Sequence, residues 1–196
     1  MDKGELLEKL KKEIEADKSL PFFGVANLVF GEGDENADVM FIGESPGFYE
    51  NRHMRPFVGQ AGKLLDKLLA KVKWPRESVY ITNIVKRRPP KNRDPLPEEI
   101  AAYEPYLKKQ IHIINPKIIV TLGRFSMNYF LPTAKISLDH GAPFEVLTEK
   151  GQGHIIYPLY HPAAALRSTT VLKDLKKDFK RLPKLLENAK ARRHGD

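Results

Sequence analysis

Short apolar, β-branched runs recur along the chain at residues 39–42, 79–85, 118–122 and 155–159, each of a length suited to a buried strand. Between them the apolar positions change to helical spacing. Leu64, Leu65, Leu68, Leu69 and Val72 lie on one helical face, and Pro97 followed by Glu98 and Glu99 opens a further helix through Ile113. Helices are also predicted at about 3–16, 123–130 and 171–186, with Pro183 kinking or splitting the last. The alternation is β-α-β, repeated. It predicts an α/β class fold, a three-layer α/β/α domain around a short, mostly parallel sheet. Residues 45–60 and 86–97 are expected to be the long loops.

In such a sheet ligands gather outside the carboxyl ends of the strands. The residues at those ends therefore share one rim: Gly43, Glu44 and Ser45 in GESPG after the first strand, Asn83 and a cationic loop after the second, Gly123 and Arg124 after the third, and His161-Pro162 after the fourth. The two glycines and one proline of residues 43–47 make a tight, rigid turn that holds up a carboxylate. A carboxylate, an amide and an imidazole can together form an acid–base site. Taken singly, each has a plainer reading, since a histidine before proline is commonly a turn or core residue and a strand-end asparagine commonly caps backbone groups. Their meeting on one rim weakens the plainer reading for all three.

Several chemistries are excluded. GESPG lacks the spacing and lysine of a P-loop, is not GxGxxG, and is not the GxSxG of a nucleophile elbow. No HExxH or paired-carboxylate spacing marks a metal site. With 0 Cys, disulfides, thiolate catalysis and thiolate-bound metal clusters have no ligands. A length of 196 residues with 41% hydrophobic content suits one domain spanning 1–196, with an N-terminal amphipathic helix at about 3–16 and a basic C-terminal helix and tail at about 171–196. The charged N-terminus is unlike a secretory signal, and no apolar run suggests a membrane span; a cytoplasmic, non-secreted protein is expected, nucleoid-associated in a prokaryote.

Charge sharpens the choice of partner. Lys and Arg number 33 against 25 Asp and Glu, a net +8, which favours a polyanion, although lysine-rich proteins without such a partner carry similar surpluses. The distribution says more: KRRPPKNR at 86–93 holds five cations and no acid.

Four blocks stand out in order along the chain: GESPG, RPFVGQAGKLLDKLL, TNIVKRRPPKNRDPLPEE and YHPAAALR. From about Phe30 to Arg167 the chain resembles the uracil-DNA glycosylase superfamily, most closely its family 4. The resemblance implies removal of uracil from DNA, single- or double-stranded, leaving an abasic site and releasing free uracil; of this chain a monomer without a cofactor is expected. It also implies roles. The target base is extruded from the stack into a pocket; Phe57 matches the ring that stacks on uracil, and Asn83 the amide that donates to O4 and accepts from N3–H, a pattern that cytosine reverses. His161 would stabilise negative charge on the departing base, and Glu44 would hold the attacking water, with Gly43 and Ser45 framing the turn. Tyr49 or Glu50, with Glu50 favoured, lies where the family excludes the thymine methyl. Lys86, Arg87, Arg88, Lys91 and Arg93 are expected on phosphates, Leu166 as a wedge in the helix and Arg167 close to phosphate.

Two departures accompany the resemblance. Family 4 members carry a four-iron four-sulfur cluster on four cysteines; here Arg87 and Tyr103 occupy two of those positions, and the first pair falls in DKSLPFFG. The expected substitute for that staple is packing by Phe22, Phe23 and Tyr103 or polar contacts from Arg87. A related branch traps uracil covalently through a histidine in the loop that here reads KRRPP, so turnover without an adduct is expected. Glycosylases for hypoxanthine or xanthine, and a non-catalytic uracil-DNA binding module, remain as alternatives at this level.

Overall fold

The structure, a computed structural model, describes residues 1–147 and 153–192. The expected basic tail at 193–196 lies outside them. In chain order the elements are α1 (Lys3–Ala16), β1 (Glu32–Gly33), β2 (Val39–Gly43), α2 (Phe48–His53), α3 (Gln60–Lys71), β3 (Tyr80–Asn83), α4 (Pro97–Ile114), β4 (Ile118–Leu122), α5 (Arg124–Phe130), α6 (Ile136–Asp139), β5 (Phe144–Leu147), β6 (Gly153–Leu159), α7 (Pro162–Ala165), α8 (Thr169–Phe179) and α9 (Leu182–Arg192). The sheet order is β1-β3-β2-β4-β6-β5, with the four inner strands parallel and the two edges antiparallel.

The inner strands are parallel because each crossover runs through a helix, and they are buried on both faces. In β2, Met40 and Ile42 point to a core shared with α1 and α4, while Val39 and Phe41 point to a core shared with α3 and α8. That is the expected three-layer arrangement. From β2 the chain passes to β3 through α3 on one face; from β4 it enters α5 on the other face. Open α/β sheets bind ligands at the carboxyl ends of strands where connections diverge in this way, here those of β2 and β4.

Local chemistry sets the helix ends. Asp2 and Glu5 form a reciprocal capping box on α1, and Glu99 accepts from the Leu96 N–H at the start of α4. The loop expected at 45–60 holds the short helix α2. The C-terminal helix expected over 171–186, kinked or split at Pro183, is two helices broken at Lys180–Arg181, and Pro183 sits in the first turn of α9, where its missing N–H leaves no bond unmade. The strand expected at 79–85 is shorter, Tyr80–Asn83. Beyond it, Ile84 and Val85 N–H donate to the Gly43 and Glu44 carbonyls, both at 3.0 Å, so the ladder runs on into the turn after β2. Among the described residues no helix is long and apolar enough to cross a membrane.

Candidate active site

The rim expected from the sequence is assembled around Gly43. A side chain begun at Gly43 would lie 2.5 Å from the Asn83 Oδ1 and 2.6 Å from the Phe57 Cζ. The amide and the ring thus close on the same bare Cα, which leaves no room for a larger residue. His161 stacks against Phe57 with centroids 5.6 Å apart. Gly123, at φ 95°, brings β4 against the His161 Cβ, where its own side chain would meet that atom at 3.0 Å.

Phe57 is held in a conformation that a bulky residue rarely adopts, φ 50°. Such strain persists when the surroundings over-determine it, and here both sides of the residue are clamped. Before it, the Arg76 Nη2 donates to the Pro56 carbonyl at 2.6 Å while the same guanidinium is paired to Glu32 and Asp66. After it, the Glu50 Oε1 accepts from the Val58 and Gly59 N–H groups at 2.9 and 2.8 Å. Gly62 of α3 completes the clamp, because a side chain there would overlap the Phe57 carbonyl oxygen at 1.8 Å. One oxygen of Glu50 is therefore committed to the backbone directly after Phe57.

The two ionisable groups of the rim are pushed in opposite directions. Burial, reinforced by Asp94 and opposed by Arg124, raises the Glu44 carboxyl to about 7. Burial lowers His161 to about 4 against a smaller opposing pull from Glu50, so the imidazole is neutral near pH 7. Its Nδ1 accepts the Ala163 N–H at 3.0 Å as the N-cap of α7, which leaves the ring proton on Nε2. The Asp94–Arg124 pair, 2.9 Å apart, was not singled out in the sequence. Arg124 had a signal in its place directly after β4; Asp94, inside a cationic loop, had none.

The cationic loop needs correction. Lys86 is fully buried, its Nζ donating to the Thr82 Oγ1 at 2.6 Å and the Gln110 Oε1 at 2.7 Å. Desolvation holds its pKa well below the ordinary lysine value. Arg87 is also buried, donating to the Tyr103 hydroxyl and the Ile14 carbonyl at 3.2 and 3.3 Å. Neither faces phosphate, because internal polar groups claim both. Arg93 makes a bidentate pair with Glu99 at 2.9 and 2.5 Å. Arg88 is half-buried and Lys91 exposed. Leu166, at the C-cap of α7, is 52% exposed, and Arg167 is exposed beside it.

Nor do the residues fit the iron–sulfur cluster that the resemblance implies. Such a cluster needs thiolates, and where they would stand the Arg87 guanidinium lies 5.4 Å from the Phe23 ring centroid while the Tyr103 hydroxyl donates to the Pro21 carbonyl at 2.6 Å. Arg93 lies over Phe22 at 5.7 Å, and the Tyr106 hydroxyl donates to the Asp17 Oδ2 at 2.5 Å. A cation, aromatic rings and satisfied hydroxyls occupy this flank.

Comparison with known proteins identifies relatives of the chain. The family model of the uracil DNA glycosylase superfamily matches residues 30–186. The chain is 45% identical over 186 residues to a type-4 uracil-DNA glycosylase of Sulfurisphaera tokodaii, covering 91% of this chain and 84% of that protein. It is 43% identical over 167 residues to a type-4 enzyme of Saccharolobus solfataricus, covering 83% and 77%, and 40% identical over 182 residues to one of Thermotoga maritima, covering 88% and 93%.

Proposed function

The chain belongs to the uracil-DNA glycosylase superfamily, and from that premise we propose that it is a monofunctional enzyme that hydrolyses the N-glycosidic bond of deoxyuridine in DNA. The observation that carries the site is the closure of Asn83 and Phe57 on Gly43, with His161 stacked behind. An extruded uracil lies on the Phe57 ring, and the Asn83 amide donates to O4 and accepts from N3–H. The neutral His161 Nε2–H donates to O2, where charge gathers as the base leaves. A donor so placed contributes about 100- to 1,000-fold in rate. Glu44, as a carboxylate, holds a water below C1′. The water oxygen bonds to C1′ as the C1′–N1 bond breaks; its proton passes to Glu44, and the uracil anion takes a proton from solvent.

Arg88, Lys91, Arg167 and the exposed Leu166 supply the DNA contacts in this reading, and residues 1–196 act as one unit. Uracil is favoured over hypoxanthine or xanthine because Asn83 and the narrow space at Gly43 suit a single pyrimidine ring. The test is a labelled oligonucleotide with one uracil, treated with protein and then alkali, beside thymine and cytosine controls. Alkali-dependent scission at uracil alone, with no protein–DNA band surviving denaturation, is expected; uracil left intact by folded protein would refute the reading.

A further inference from the structure

The catalytic turn runs directly into α2, whose first two residues are Phe48 and Tyr49. Both rings face water, at 50% and 55% exposure, although large apolar side chains are ordinarily withdrawn from it. They meet edge to face, centroids 5.4 Å apart. The pair is anchored at both ends. On one side the Arg88 guanidinium lies 5.3 Å from the Phe48 centroid, its Nε fixed by the Asn92 Oδ1 at 2.6 Å. On the other, the Tyr49 Cδ2 comes within 3.7 Å of where a side chain on Gly59 would begin, beside the Glu50 clamp on Phe57. The two rings thus bridge the surface from the cationic loop to the mouth of the pocket.

We propose that Phe48 and Tyr49 form a stacking platform for the unpaired nucleobases that flank the uracil on its own strand, so that the protein favours single-stranded over duplex DNA. The proposal rests on the glycosylase reading and adds a subsite to it. In a duplex each base face is covered by its neighbours; an unpaired base offers its face to an exposed ring, and aromatic platforms beside cations are the sequence-tolerant way to hold it. The partner is anionic because the ground beside the rings is cationic: Arg88 sits over Phe48, and Lys91 projects from the same loop. Arg88 adds a cation to the face of the stack, and Lys91 meets the backbone phosphate.

The test measures anisotropy of labelled uracil-free oligonucleotides, one single-stranded and one duplex of the same sequence, with wild type, Phe48→Ala, Tyr49→Ala and Phe48→Trp. Losing one stacked base weakens single-strand binding by about 5- to 150-fold. Phe48→Ala and Tyr49→Ala are expected to lose single-strand affinity in that range and duplex affinity much less; Phe48→Trp is expected to keep the preference. An oligonucleotide with 2-aminopurine beside the uracil should show quenching on wild type that Phe48→Ala abolishes. Equal losses on both DNAs, no loss, or unchanged quenching would overturn the platform. So would a dimer in sedimentation that Phe48→Ala dissolves without changing single-strand binding, because the patch would then serve a second copy of the chain. Wild type that binds single strands preferentially but excises no uracil in single-turnover reactions would refute the glycosylase reading and leave the platform standing.

Discussion

At the strand-end rim, Glu44 and His161 are drawn out of water with little to offset the cost, so one holds its proton up to about 7 and the other sheds it down to about 4. On the flank between α1 and α4, polar groups are withdrawn further, but Arg87 finds the Tyr103 hydroxyl and a carbonyl, and Tyr103 finds another carbonyl. The difference separates two uses of burial. Unmatched, it tunes acidity and leaves groups ready for a substrate; matched, it ties distant segments together. In the proposed reading the flank takes the place of the staple that thiolates would otherwise supply, and the rim carries the chemistry.

Variants in the two regions should therefore fail in different ways. His161→Ala should lower kcat by about 100- to 1,000-fold with little change in Tm; a rate within about threefold of wild type would remove His161 from the chemistry. Tyr103→Ala should do the reverse. Losing a buried aromatic costs about 3–5 kcal/mol, which lowers Tm by roughly 6–20 °C in a chain of this size, while uracil excision below the new Tm stays near wild type. An unchanged Tm would show that the flank is not a staple.

Acidity offers a finer cut. With Glu44 acting as a carboxylate in the proposed reaction, kcat/KM should rise about tenfold per pH unit up to about 7 and then level off, with His161 neutral above about 4. Asp94→Asn removes a repulsion and should move that midpoint to lower pH; Arg124→Gln should move it higher. A limb that neither variant shifts would detach it from Glu44. The stability counterpart is inverted from that of a paired carboxylate: the fold raises this pKa above the ordinary 4.5, so the group's contribution is present below 4.5 and lost as pH rises through about 7. The smallest effect separates the cations. Lys91→Ala should reduce the slope of log affinity against log salt by about 0.7–0.9, whereas Arg87→Ala should leave the slope and lower Tm; the opposite pattern would return Arg87 to the DNA face.

The strands and the rim were legible in the chain because strand period and strand ends are local signals. Glu44, Asn83 and His161 each lie at the end of an apolar run, and the parallel sheet does the rest. Lys86 and Arg87 were not legible, since a run of cations reads as a solvated loop until Gln110, Tyr103 and the Ile14 carbonyl arrive from 24, 16 and 73 positions away. The left-handed Phe57 was equally hidden: its clamps come from Glu50, Arg76 and Gly62, and only folding sets them around one residue.

The two rungs by which Ile84 and Val85 extend the ladder onto Gly43 and Glu44 bear on how the enzyme meets its substrate. They tie the backbone of the turn that carries Glu44 to the centre of the sheet, so the turn is continuous with the strands rather than hung from them. The protein presents a finished socket, and the large excursion of the reaction falls to the nucleic acid, whose nucleotide must swing out to a site that stays still.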